Sequence, residues 1–189
     1  MNLAGPGPLL VALRGMPSVG KSVLARGVSR QLGWPVLDKD DIKDIVYGWT
    51  EAADTLAYDL LFGLARGHLQ QGLSVLCDSP LLHPGLYALA SQSADEAGGR
   101  LVVLECVLAD ASEHRRRLQA RASSDRVRQW AINDWQAFVE YRDRVLPHAN
   151  YAIDVPHRII DLSEPEQAIA EAASWLHIIE FGGDRRHLA

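Results

Sequence analysis

Residues 9–14 form a continuous apolar run closed by Arg14. It is too short for a helix and too uninterrupted for a half-exposed strand, which predicts a strand buried on both faces. From 21 to 32 the apolar positions take helical spacing, and Gly33, with Pro35 just beyond, ends the helix. A short strand over 35–38 runs into Asp38-Lys39-Asp40-Asp41-Ile42-Lys43-Asp44, a polar cluster that opens a short helix. Leu56, Leu60, Leu61, Leu64 and Leu69 give 51–71 a helical face that stops at Gly72. Residues 73–77 read as a buried strand leading directly into Asp78-Ser79-Pro80. Helical spacing resumes after Pro84 and stops at Gly98-Gly99, and 101–108 is the most strand-like run of all. A basic helix over 110–121 is broken by Ser123-Ser124-Asp125, and a further helix over 126–146 is expected to end at Pro147. A last strand (158–162) and helix (164–179) lead to a tail, 182–189, expected to be disordered.

Strands alternating with helices imply parallel pairing through right-handed crossovers, hence an α/β sandwich around a central sheet. Ligands of such sheets bind beyond the carboxyl ends of the strands. The polar residues that need explaining sit there: the loop at Gly15, Asp38, Asp40 and Asp78.

The first loop is Gly15-Met16-Pro17-Ser18-Val19-Gly20-Lys21-Ser22, a G-x-x-x-x-G-K-S pattern between a strand and a helix. Gly15 and Gly20 let the backbone bend so that successive N–H groups converge on phosphate oxygens. The helix that follows aims its positive end at the same anion. Lys21 is suited to bridge β- and γ-phosphates, and the Ser22 hydroxyl to ligate Mg²⁺. Gly15, Pro17, Ser18, Val19, Gly20, Lys21, Ser22 and Val23 are therefore the expected nucleotide-binding set, and a nucleoside triphosphate is the expected ligand.

Three further constellations bear on chemistry. A carboxylate at the exit of the second strand can take a proton from a hydroxyl that attacks the γ-phosphate, and Asp40 is the choice for that base. Asp38 would support the metal shell or the acceptor, and Asp41 would cap the next helix; an acidic, solvated turn is the alternative for the cluster. Asp78, ending an apolar strand, stands where a carboxylate backs Mg²⁺ through water, although Asp-Ser-Pro is also an ordinary turn. Arg115, Arg116, Arg117, Arg121 and Arg126 form a basic series in which Arg117 and Arg121 share one helix face. With the break at Ser123-Ser124 this region reads either as a flap closing on the phosphoryl group or as a solvated basic face. His83, His114, His148 and His157 lack metal-ligand spacing and are expected at the surface or at caps. Trp130, Trp135 and Phe138 are expected to pack. No N-K-x-D guanine reader is present.

At 189 residues the chain fits one domain, expected over 1–181, and it contains no apolar run long enough for a membrane span. Met1 to Gly7 has no basic n-region, which argues against a signal peptide, so cytoplasm is the default and Cys77 and Cys106 are expected as buried free thiols. A net charge of −5 argues against a long nucleic acid partner. Against sixteen arginines there are only three lysines, Lys21, Lys39 and Lys43, all in the loop or just after the second strand. That placement points to position-specific roles.

Taken together, Gly15 to Ser22, the segment Asp38-Lys39-Asp40-Asp41-Ile42-Lys43, Val75 to Ser79 and Arg117-Leu118-Gln119-Ala120-Arg121 resemble the small P-loop kinases of the zeta-toxin, chloramphenicol phosphotransferase and polynucleotide kinase group. The resemblance implies a three-layer P-loop NTPase fold whose parallel sheet has the order 2-3-1-4-5, with an Arg-bearing lid. It also implies Mg-ATP as donor and a hydroxyl acceptor. By the match, Asp40 falls at the general base, Lys43 where polynucleotide kinases carry an arginine for the acceptor phosphate, and Arg117 and Arg121 at the lid pair. Segment 157–164 resembles the strand and loop beside the adenine. Lys43 in place of arginine, Pro80 in place of a polar residue and the acidic net charge favour a hydroxylated small molecule over a nucleic acid end. A polynucleotide 5′-hydroxyl kinase and a nucleotide-binding regulator or ATPase without an acceptor are the competing expectations.

Overall fold

The computed structural model describes residues 7–123, 128 and 130–182. Five strands form one parallel sheet: β1 (Leu9–Arg14), β2 (Val36–Asp38), β3 (Val75–Asp78), β4 (Arg100–Val107) and β5 (His157–Asp161). Their order across the sheet is β2-β3-β1-β4-β5, as the resemblance implied. All six residues of β1 and all four of β3 are buried, because both faces of the sheet are covered.

Alternation along β1 divides the core in two. Leu9, Val11 and Leu13 pack with Leu24 and Val28 of α1 (Lys21–Leu32) and Ala172 and Leu176 of α7 (Pro165–Phe181). Leu10 and Ala12 pack on the opposite face with Leu61, Phe62 and Leu69 of α3 (Ala53–Gln70) and Ala90 and Ala94 of α4 (Pro84–Glu96). Three further helices complete the described structure: α2 (Lys39–Val46), α5 (Ala111–Ala122) and α6 (Trp135–Ala149). Cys77 and Cys106 are buried free thiols. Among the described residues no helix is long and apolar enough to cross a membrane.

The expected helix over 126–146 is the main departure. Helix α6 starts only at Trp135, where the Asp134 side chain caps it by accepting from the Ala137 N–H, and it carries Pro147 inside its last turn. Proline costs one backbone hydrogen bond there. Buried Ala149 and its carbonyl, which accepts from the Arg14 guanidinium, keep that turn in place. The expected break at Ser123 is present as the C-cap of α5, whereas Ser124, Asp125 and Arg126 lie outside the described residues, as does the tail beyond Gly182.

Candidate active site

At the carboxyl end of β1 the chain turns through three residues with positive φ: Gly15 at 146°, Ser18 at 63° and Gly20 at 118°. Only glycine fits the first. A Cβ on Gly15 would stand 2.4 Å from the Cys106 carbonyl oxygen of the neighbouring strand, so β4 presses directly on the loop. The Gly15 N–H donates to the Pro80 carbonyl at 3.0 Å, tying the loop to the turn after β3. Lys21 opens α1 yet is only 9% exposed, and its Nζ donates to the loop's own Gly15 and Met16 carbonyls, both at 2.9 Å. Burial pushes the ammonium pKa down, and the charge of Asp78 opposes that shift. Asp78, 5% exposed at the end of β3, is pushed up by burial, while Lys21 and a hydrogen bond from Ser22 pull it back.

The neighbouring strand end adds a second carboxylate. Asp38 of β2 sits in register with Asp78 of β3, and burial plus that charge raise its pKa to about 6. Its side chain accepts the Asp40 N–H at 2.8 Å and so caps α2. Asp38, rather than the expected Asp41, is therefore the cap. Asp41 projects outward instead and pairs with Arg128.

A sign follows for stability. A carboxylate whose folded pKa lies above its unfolded value favours the folded state while protonated, so its contribution is lost as pH rises from about 4 to about 6. Asp38→Asn keeps a competent cap without the buried charge. The variant is expected to be about 2 kcal/mol more stable than the parent at pH 8, with no gain at pH 4, as read by denaturant unfolding at both pH values.

Asp40 is next along α2. Its Oδ1 lies 2.9 Å from Lys39 Nζ, and its Oδ2 lies 3.6 Å from both Arg121 Nη2 and Arg128 Nη1. Lys39, itself buried, also pairs with Asp54 of α3 at 3.2 Å, and Lys43 meets the same carboxylate at 2.9 Å. Burial pushes Asp54 up, but the two lysines outweigh it and hold the carboxyl below its usual range. The lysines expected to have position-specific roles thus all face one cleft.

Arg117 behaves differently from Arg121. It donates to the Val19 carbonyl at 2.8 Å and the Leu162 carbonyl at 3.0 Å, and pairs with Glu113 at 2.7 Å. It therefore fastens α5 across the phosphate loop to the turn after β5. Arg117→Ala is expected to weaken nucleotide binding about tenfold, as read by titration with AMPPNP, since the loop amides lose their alignment. Arg121→Ala, which removes a cation beside Asp40 rather than a tie to the loop, is expected to leave that affinity nearly unchanged in the same titration.

Several residues were missed. Arg128 bridges Asp40, Asp41 and Asp44, the last at 2.6 Å, which carries the acidic face of α2 onto the segment between α5 and α6. Trp130 was expected to pack with Trp135 and Phe138. Its ring instead faces the Lys43 ammonium at 4.2 Å while its N–H donates to Asp44 at 3.0 Å. Trp135 and Phe138 do pack, against His114. His114 is buried rather than at the surface, and its Nε2 lies 2.7 Å from the Pro17 carbonyl, bracing the phosphate loop. Of the expected caps, His83 is one, accepting the Gly85 N–H. Aromatic and basic residues of this segment have no readable spacing, since what unites them is proximity to α2 after folding.

A single cleft of about 780 Å³ joins these groups. Pro17, Ser18, Gly20, Lys21, Ser22 and Val23 line one part, and Asp38, Lys39, Asp40, Lys43, Tyr58 and Trp130 another. Of residues 47–56 only Asp54 lines this cleft, and residues 81–83 do not. The Ser18 hydroxyl, on the loop, is buried without a hydrogen-bond partner. That orphan, the inward glycines and a lysine spending its bonds on its own loop fit a phosphate ligand. Ser22 with Asp78 behind it fits Mg²⁺, which takes few protein ligands and keeps its waters. No cluster of three or more His, Cys, Asp or Glu suited to a metal occurs among the described residues.

No curated protein matches the chain. Among solved structures it is similar to a presumed kinase from Chloroflexus aurantiacus, with TM-score 0.73 and 20% identity over 90% of this chain and 97% of that one. The APS kinase of Mycobacterium tuberculosis in complex with AMPPNP and APS gives TM-score 0.65 and 19% identity over 91% and 99%. A gluconokinase of Sinorhizobium meliloti gives 0.62 and 14% over 93% and 94%. Identities at this level establish the fold. A family match covers residues 10–142, from β1 through the cleft to α6. The chain belongs to the AAA domain family and has the P-loop kinase fold.

Proposed function

We propose that residues 1–181 form one kinase domain that transfers the γ-phosphate of Mg-ATP to a hydroxyl of a small molecule. The observation that carries this reading is the continuity of the cleft. It runs from a phosphate-binding loop to a carboxylate, Asp40, with cationic side chains on both sides. A protein that only binds or hydrolyses nucleotide needs no such acceptor-side carboxylate.

In this reading the loop amides and Lys21 bind the β- and γ-phosphates, Lys21 leaving the Gly15 and Met16 carbonyls to do so. Ser22 and Asp78 would hold Mg²⁺, which when bound neutralises charge on the phosphate oxygens. Asp40 orients the acceptor hydroxyl and accepts its proton as that oxygen bonds to the γ-phosphorus and the bond to the β–γ bridging oxygen breaks. Arg121 lies beside Asp40 and would neutralise the moving phosphoryl group. Asp38 shapes the site by capping α2, and Lys43 faces the acceptor. Arg126 belongs to the same basic series by sequence and lies outside the described residues.

The test is transfer of labelled γ-phosphate from Mg-ATP to a panel of nucleosides, activated sugars, polyols, aromatic alcohols and 5′-hydroxyl oligonucleotides. Label on a small acceptor is the expected result. Label on the oligonucleotide alone would move the assignment to an end kinase, and label released only to water would move it to an ATPase.

A further inference from the structure

Beyond Tyr58, Pro80 and Tyr141, which also line the main cleft, lies a second recess of about 100 Å³. The catalytic reading above makes no use of it. Its remaining walls are Leu82, His83 and Leu86 from the approach to α4 and its first turn, and Val145 and His148 from α6. The recess is one side chain removed from the proposed base: Lys39 Nζ lies 2.9 Å from Asp40 and 5.5 Å from the centre of the Tyr58 ring.

The turn that builds its inner wall is strained. Leu81 has φ of 45° although it is a fully buried leucine. Such a conformation persists only where the surroundings over-determine it, and it is characteristic of ligand sites. Here the Pro80 carbonyl takes the Gly15 N–H of the phosphate loop, and the Leu81 carbonyl takes the Tyr151 hydroxyl at 2.5 Å. The recess is thereby locked to the phosphate loop rather than left to drift with the surface. Leucine, valine and proline side chains make up its apolar part, and the rings of Tyr58, Tyr141, His83 and His148, the two imidazoles 5.4 Å apart, give it an aromatic rim. A recess so lined suits a compact apolar or aromatic group. The half-buried rings of Tyr58 and Tyr141 lead into it from the cleft.

We infer that this recess is an acceptor subsite, and that the acceptor is a hydroxylated compound carrying a compact apolar group, aromatic or branched, on the side away from the reacting hydroxyl. This rests on the kinase reading for the word acceptor, though not for the binding itself. The ring enters between Leu82, Leu86 and Val145 while the hydroxyl faces Asp40 across the tyrosines.

Benzyl alcohol, which joins a ring to one hydroxyl, is the probe. Its affinity is measured by ligand-observed NMR on the AMPPNP-loaded protein, for the parent chain and for Val145→Trp and Leu86→Trp, each of which fills the recess from a different helix. Weak binding to the parent, reduced at least fivefold in both variants, is expected. Folding of each variant is checked by AMPPNP binding, and if one fails that check the other decides. Equal binding in parent and folded variant, or no binding to the parent, overturns the subsite. The readout involves no phosphoryl transfer. Ring binding with no labelled acceptor anywhere in the panel would therefore overturn the kinase reading and leave the subsite standing.

Discussion

Lys21→Ala is expected to lower kcat/KM for ATP about a thousandfold, the scale on which a preorganised charge at a developing anion acts. Lys21 is well suited to such a role because its environment is costly to the cation. It is 9% exposed, burial pushes its pKa down, and Asp78 supplies the opposing charge. Before a ligand arrives, two loop carbonyls at 2.9 Å occupy the ammonium. Phosphate oxygens offer stronger partners in the same place. Lys21→Arg is not expected to rescue, since a planar fork does not fit a slot shaped for a point charge. The alanine variant carries a second signature. Without Lys21, Asp78 is a buried carboxylate that has lost its main counter-charge, so its raised pKa rises further. A carboxylate of that kind contributes stability when protonated and loses it as pH climbs above about 4. Thermal unfolding of Lys21→Ala should accordingly show greater stability at pH 5 than at pH 8, by more than the parent does. Equal pH profiles would mean that Lys21 and Asp78 do not interact as their burial implies.

The loop between β1 and α1 was readable because its geometry is local. Gly15, Gly20, Lys21 and Ser22 belong to one loop whose geometry follows from strand, turn and helix in immediate succession, and the structure has those elements at 9–14 and 21–32. Parallel topology was legible for a similar reason: apolar strands alternating with helices leave few other arrangements. Asp78 and Asp38 fall beside each other because their strands pair, which the resemblance to sheets of order 2-3-1-4-5 already implied.

The acceptor half was less legible, and the failures have a common cause. Arg128 and Trp130 acquire their roles through partners more than eighty positions away, on α2. Read locally, 126–134 continues a helical pattern. In the fold, Arg128 and Trp130 are committed to Asp40, Asp41, Asp44 and Lys43, and α6 starts only at the Asp134 cap. His114 was misplaced in the same way, since its bond to Pro17 exists only once α5 crosses the phosphate loop. Arg117 illustrates the reverse case: the position was found, but backbone carbonyls on two loops take up its guanidinium.

Asp40→Asn is the variant that divides the functional readings, because it removes a charge and a proton acceptor while leaving size and shape unchanged. Transfer to the acceptor is expected to fall by two to four orders of magnitude, the usual span for general-base catalysis, with ATP affinity changed less than about threefold. The small effect on binding follows from position. Asp40 lies on α2, whereas the phosphate ligands come from the loop between β1 and α1. The fold should tolerate the change, since Lys39 keeps Asp54 at 3.2 Å and Arg128 keeps Asp41 and Asp44. The partly exposed ion pairs lost with Arg121 and Arg128, at 3.6 Å, are each worth about 1 kcal/mol or less. Asp38→Asn serves as the comparison, because Asp38 lies at the neighbouring strand end in the same cleft and its pKa, raised to about 6, suits proton transfer. If Asp40→Asn transfers normally and Asp38→Asn does not, the base is Asp38 and the α2 cap is catalytic. If both transfer normally, neither carboxylate takes the proton. If ATP is hydrolysed at equal rates by the parent and by Asp40→Asn while no acceptor takes label, the cleft beyond the phosphate loop serves regulation rather than transfer. Loss of transfer in Asp40→Asn alone, with nucleotide still bound, ties the chemistry to the first turn of α2 and to the cations gathered around it.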